Sequence, residues 1–224
     1  MSIQKNWKKI NDDIAGITDR DVVIMAVTKK NSPDDIREII SAGAVCIGEN
    51  RVDVAKTKFI DENLYNEFPQ IELHMIGHLQ TRKVREAVKI FDCIQSVESE
   101  KTAREIDKRC AALNKKIDVL IEVNVSGEMQ KAGIAPIDAP QFTEEILRLE
   151  NLKLKGLMTM APFTDNESVV RATFSGLREL RDSLSQKFGA DFFNILSMGM
   201  SNDYKIAVEE GSTMVRIGTA LFNG

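Results

Sequence analysis

Short apolar runs rich in β-branched residues recur along this chain, separated by longer polar stretches in which apolar positions return every three or four residues. The short runs predict strands at residues 22–28, 45–48, 72–77, 93–97, 117–125, 154–160, 194–198 and 214–218. The longer stretches predict an opening helix through Ile14 and further helices over 81–90, 100–113, 141–149, 167–188 and 203–210. Between the first two strands, Ser32-Pro33-Asp34-Asp35 reads as a cap and first helical turn, with Ile36, Ile39 and Ile40 following at helical spacing. Gly43 then ends that helix.

A strand that is always followed by a helix implies a parallel sheet. Eight such units in 224 residues favour closure into a single-domain (β/α)8 TIM barrel covering 1–224, with an extra N-terminal helix. An open doubly wound sheet is the alternative. Neither a GxGxxG fingerprint nor a Walker loop follows the first strand, which weakens the nucleotide-binding form of that sheet.

Composition narrows the partner. The net charge of -4 supplies no broad basic surface for nucleic acid, so a small molecule is expected. Cys46, Cys93 and Cys110 are odd in number and form no CxxC pair, which speaks for reduced thiols in cytoplasm rather than a disulfide framework or zinc site. The N-terminus has no apolar signal core, and no segment stays apolar long enough to cross a bilayer.

In a barrel the C-terminal strand ends share one face, so residues distant in sequence meet there. Lys29 ends the first strand, Gly48-Glu49-Asn50 the second, and His74-Met75-Ile76-Gly77-His78 the third. Ser197-Met198-Gly199-Met200-Ser201 ends the seventh, and Arg216-Ile217-Gly218-Thr219 the eighth. A primary amine at the mouth of an apolar strand can form a Schiff base. Loops after the seventh and eighth strands often hold phosphate, and glycine amides, hydroxyls and a helix start near Asn202 suit an anion, making Ser197, Ser201, Gly218 and Thr219 candidates. Strand alternation places Lys29 on the side of Val23, Met25 and Val27 without saying whether that side faces the barrel axis. Arg216, inside an apolar strand, is expected to be buried near an anion or ring. His74 and His78 lack a matching cysteine or carboxylate pattern and read as structural rather than metal-binding. Glu49 reads as a cap or dipole partner more than as a base.

These motifs, with Ala26-Val27-Thr28-Lys29, Asn50-Arg51-Val52, His78-Leu79-Gln80 and Gly156-Leu157-Met158-Thr159-Met160, resemble the pyridoxal 5′-phosphate homeostasis proteins, the YggS/PROSC family, along nearly the whole chain. The resemblance implies the barrel of the alanine racemase N-terminal domain and a cofactor, pyridoxal 5′-phosphate (PLP), held covalently and reversibly as a Schiff base on Lys29. It places Arg216 at the pyridine nitrogen, Ser197, Ser201, Gly218 and Thr219 around the phosphate, and Asn50 and His74 nearer the ring. Thr28 stands where serine is common in the family, Lys30-Asn31-Ser32-Pro33 replaces lysine-threonine-lysine-proline, and Thr81-Arg82-Lys83 departs from the frequent asparagine-lysine ending.

The implied role is non-enzymatic: a cytoplasmic carrier that balances vitamin B6 forms and serves PLP-dependent apoenzymes. The alternative is a PLP-dependent amino-acid racemase. Racemisation needs bases on both faces of the α-carbon, and Lys29 supplies one. Alanine racemases draw a tyrosine from a β-rich second domain, whereas Phe222-Asn223-Gly224 follow the eighth strand directly here. A carrier, preferably monomeric, is therefore expected. A third reading, a phosphate-binding barrel without aldehyde chemistry, leaves Lys29 as a phosphate partner.

Overall fold

The computed structural model describes residues 2–223. Eight parallel strands close a barrel in chain order: β1 (Val23–Val27), β2 (Cys46–Glu49), β3 (Glu72–Met75), β4 (Cys93–Val97), β5 (Ile117–Glu122), β6 (Leu152–Met158), β7 (Ile195–Met200) and β8 (Met214–Ile217). β8 returns to β1, pairing Met25 with Arg216 and Ala26 with Ile217. The barrel expectation holds, and the open-sheet alternative falls.

The helices are α1 (Ile3–Ala15), α2 (Pro33–Ser41), α3 (Val52–Ala55), α4 (Leu64–Glu67), α5 (Val84–Ile90), α6 (Glu100–Ala112), α7 (Ala139–Leu147), α8 (Glu167–Phe188), α9 (Tyr204–Glu209) and α10 (Thr219–Phe222). Helix α2 starts as read from sequence: the Ser32 hydroxyl accepts from Asp35 N while the Asp35 carboxylate accepts from Ser32 N. Helix α1 buries Ile3, Ile10 and Ile14 on one stripe, and its Asn6 side chain donates to Leu221 O, joining the first helix to the last.

Several boundaries differ from expectation. β5 stops at Glu122 rather than 125, because the chain turns away and only Val123 re-pairs, in an isolated bridge to Ile134. β6 runs Leu152–Met158, and β7 continues through Met200. The helix expected over 81–90 opens as a 3-10 turn at Thr81–Lys83. Residues 52–67 carry no strong helical period, yet they fold as α3, a π-helical turn at Lys56–Asp61, and α4, entered through Asn63 at φ 66°.

The main apolar core lies between strands and helices, where Ile24, Ala26, Ile47, Leu73, Ile94, Val119, Leu157, Leu196, Val215 and Ile217 point outward. The alternate positions point inward. Met25, Cys46 and Met214 form one small cluster inside the barrel, and Cys93, Leu120 and Met158 another. Met25 thus answers the question that alternation left open: the side shared by Val23, Met25 and Val27 is the barrel interior.

Candidate functional site

Just beyond β1, the Thr28 carbonyl accepts from Asn31 N at 2.9 Å and closes a turn with Lys29 and Lys30 at its tip, both exposed. The β1–β8 register carries this turn past Gly218, whose α-carbon faces Val27. The amides of Gly218 and, two residues further, Ala220 converge at 3.3 and 3.2 Å on the Ser201 hydroxyl oxygen. That geometry already holds an oxygen between backbone donors. The exposed Thr219 joins Ser201, Met200 and Asp203 along a cavity of about 490 Å³ that continues past Ala161 and Pro162. Helices α9 and α10 are six and four residues long, so the donors at this corner are individual N–H groups rather than a helix dipole.

Beneath the mouth runs a buried polar chain. Arg216, 4% exposed, donates through Nη1 to the Ser197 carbonyl and hydroxyl and through Nη2 to the Thr159 carbonyl, each at 2.8 Å. An arginine can only donate, which sets the polarity of everything linked to it. Ser197 Oγ accepts from Arg216 and gives its own proton to Gln95 Oε1 at 2.7 Å. The Gln95 amide nitrogen then faces His74 Nδ1 at 2.8 Å, which makes that ring nitrogen the acceptor. Nε2 is left toward Glu72, at 3.4 Å. Burial pushes the Cys93 thiol beside His74 upward and the Arg216 guanidinium down to about 10, so arginine stays charged at neutral pH.

The candidates therefore occupy two layers. Lys29, Asn50, Ser201, Gly218 and Thr219 lie at the C-terminal mouth, where the Asn50 backbone presses against Gly77. Arg216, Ser197 and His74 lie inside the barrel. Ser197, grouped from sequence with the phosphate candidates, instead spends its hydroxyl on Arg216 and Gln95. His74 sits below Arg216, joined to it through Gln95 and Ser197, while His78 is exposed and bonds Glu98 at 2.6 Å. Glu49 is neither a cap nor a base at the mouth: it is fully buried outside the barrel wall and paired with Lys58 at 2.9 Å.

Sequence reasoning missed Gln95, Lys58 and Glu122. Gln95 and Glu122 are polar residues inside apolar strands, whose only signal is that burial of such groups requires a partner, while Lys58 closes the polar run Lys56-Thr57-Lys58 and carries no signal of burial. Burial, with Glu98 adding repulsion against the weaker pull of Arg216 and His78, raises the Glu122 carboxyl to about 7. In the unfolded chain the same group titrates near about 4.3. The folded protein thus holds a proton that the unfolded chain releases, and the stabilisation present below about 4.3 fades as pH rises to about 7. Glu122→Gln should flatten this dependence, removing a loss on the order of 3 kcal/mol between pH 4 and pH 8. Urea unfolding of both proteins at several pH values measures it; parallel stability curves would contradict the assignment.

A family model for the alanine racemase N-terminal domain matches residues 1–224. A pyridoxal phosphate homeostasis protein of Aquifex aeolicus is 41% identical over 199 residues, covering 89% of this chain and 85% of its own. The structure of PipY from Synechococcus elongatus with PLP bound superposes with a TM-score of 0.88 at 31% identity, covering 99% of this chain and all of that one. An alanine racemase of Clostridium difficile shares the fold alone, with a TM-score of 0.78 at 18% identity; 97% of this chain corresponds to 56% of the racemase.

Proposed function

From the premise that this chain belongs to the alanine racemase N-terminal domain family and, within it, to the pyridoxal phosphate homeostasis proteins, we propose that it binds PLP reversibly through Lys29 in cellular vitamin B6 homeostasis. One observation carries the assignment: the turn bearing an exposed lysine and the hydroxyl-amide corner at Ser201, Gly218 and Thr219 meet at one end of the barrel.

The residues suit such a group. Backbone amides that already converge on an oxygen offer a phosphate the same donors, with Thr219 supplying a further hydroxyl. Arg216, locked by Ser197 and Thr159, presents a fixed donor below the mouth for the pyridine nitrogen. Asn50 reaches the same mouth from β2, while His74 and Ser197 orient Arg216 from beneath. Bound PLP supplies an aldehyde that condenses with a primary amine, releasing water, and is freed by the reverse reaction. An exposed Lys29 leaves that amine open to exchange with water and competing amines.

The same geometry favours a carrier over a racemase. The chain has two tyrosines, and both are engaged elsewhere: Tyr65 donates to Asp92, which precedes β4 at the opposite end of the barrel, and Tyr204 donates to Asp13 on α1. Neither stands opposite Lys29 as a second base. The protein then acts as a single-domain, cytoplasmic, monomeric reservoir that limits free aldehyde and passes cofactor to PLP-dependent apoenzymes. Incubation with PLP, borohydride reduction and peptide mapping should give one adduct, on Lys29. Absence of any adduct removes the reading, and robust α-proton exchange across a panel of amino acids in deuterium oxide replaces it with the enzymatic one.

A further inference from the structure

Behind the Lys29 turn, outside the barrel wall, lies an ion pair that the site as described does not use. Lys58 Nζ bonds the Thr28 carbonyl at 2.7 Å and Glu49 Oε1 at 2.9 Å, and the Thr28 hydroxyl donates to the same Glu49 oxygen at 2.7 Å. The residue directly before Lys29 is thus gripped through its backbone and its side chain. Thr28 and Glu49 are fully buried and Lys58 is 8% exposed. The other Glu49 oxygen is buried and has no hydrogen-bond partner among the described residues.

As a stabilising device this arrangement is poor. Taking two charges out of water costs free energy that their attraction offsets only when every lone pair is satisfied, and apolar substitutes of similar volume often do as well or better. A buried carboxylate oxygen left without a donor adds to the cost. The chain also departs from regular helix to build the contact, because Lys58 sits in the π-helical turn Lys56–Asp61, a widened turn that is uncommon and concentrates at functional sites. What the pair does achieve is geometric. The Thr28 carbonyl is the acceptor that closes the Lys29 turn, and Lys58 is its second donor.

We propose that Lys58, with Glu49, is a positioning residue that fixes the Thr28–Asn31 turn so that the Lys29 amine is presented to the PLP aldehyde. The inference rests on Lys29 being the attachment point. The pair touches neither cofactor nor amine; Lys58 acts through the Thr28 carbonyl and Glu49 through the Thr28 hydroxyl, and the turn is fixed only when both hold. Misplacing a reacting group by about 1 Å costs up to about a hundredfold in rate. With the Asn31 bond still closing the turn, loss of the pair should cost about tenfold.

The test combines Lys58→Met with Glu49→Gln, which removes both charges together and leaves neither stranded, and compares Thr28→Val with Thr28→Ser. Two measurements separate seating from attachment. Affinity for pyridoxine 5′-phosphate, which lacks the aldehyde, reports phosphate and ring binding; the rate of borohydride-trapped adduct at Lys29 under saturating PLP reports presentation of the amine. The double variant is expected to bind pyridoxine phosphate within about twofold of wild type while its trapping rate falls about tenfold. Thr28→Ser keeps the hydroxyl and the wild-type rate, and Thr28→Val slows it. A folded double variant that traps PLP at the wild-type rate overturns the proposal. Should the double variant not fold, Thr28→Val decides, and an unchanged rate there overturns it equally. Wild-type protein giving no Lys29 adduct would instead sink the attachment reading on which this one stands, a separate result visible before any variant is made.

Discussion

Lys29→Ala is expected to abolish the reducible PLP adduct altogether while leaving a weaker, phosphate-driven binding. The side chain is exposed at the tip of a turn held by backbone bonds at Thr28 and Asn31, so its loss should change stability by no more than about 0.5 kcal/mol. The donors at Gly218, Ala220 and Ser201 do not touch it and remain in place. Pyridoxine 5′-phosphate should therefore bind the variant within about twofold of wild type, because that ligand never used the amine. PLP itself should fall to the affinity of the non-covalent ligand, and the visible absorbance of the bound species should disappear.

Lys30→Ala is the necessary companion, because Lys30 shares the turn and is also exposed. Alternation along β1 points the odd-numbered positions into the barrel, and Lys29 continues that series whereas Lys30 does not. Lys30→Ala should keep full adduct formation. An undiminished adduct in Lys29→Ala, mapping to Lys30, would move the attachment point by one residue. If the loss of Lys29 weakens pyridoxine phosphate as much as PLP, the lysine is a phosphate partner without aldehyde chemistry.

Much of the barrel was legible because most strands are short apolar runs, as in Val23-Ile24-Met25-Ala26-Val27 of β1 or Met214-Val215-Arg216-Ile217 of β8, and the long helices keep their 3.6-residue period; α8 runs Glu167–Phe188, as its pattern predicts. Residues 52–67 were not, because two four-residue helices, a π turn and a left-handed asparagine leave no sustained period to read. The mouth was legible for a similar reason: strand ends meet in any parallel barrel, so Lys29, Asn50, Ser201, Gly218 and Thr219 could be gathered without knowing a single distance. The layer beneath could not be read in the same way. Ser197 lies four residues from Ser201, yet it points into the barrel with Arg216 because it sits within β7 two residues after the inward Ile195, whereas Ser201 lies beyond the end of that strand. Gln95 and Glu122 looked like lapses in apolar strands. Only the partners across the barrel, His74 and Ser197 for the first and Glu98 and Arg216 for the second, give them a purpose.

Gly156→Ala should have the largest effect of any single methyl added to this chain. Gly156 adopts φ 155° on β6, opposite Ile195 on β7. A β-carbon there would be driven into the Ile195 carbonyl oxygen and would lie 2.7 Å from the carbonyl carbon. Neither strand can give way locally. On one side β6 has already absorbed a register shift against β5, with Val119 opposite Leu154 and Leu120 opposite Gly156. On the other, β7 is held by Thr159 N bonding to the Ser197 carbonyl and by Arg216 gripping that same serine. Separating β6 from β7 therefore opens the barrel wall and releases Arg216, the arginine proposed to face the cofactor ring. A cost of about 4 kcal/mol or more is expected, a large share of the roughly 5–15 kcal/mol that holds a domain of this kind together. Gly127→Ala supplies the control, since Gly127 also has positive φ, 70°, but a β-carbon there meets nothing within 4 Å. Backbone strain alone should cost that variant about 1–2 kcal/mol. Urea midpoints rank the two: Gly156→Ala unfolding alongside Gly127→Ala would mean that β7 yields, and that the Ser197–Arg216 link is less rigid than its two 2.8 Å bonds imply.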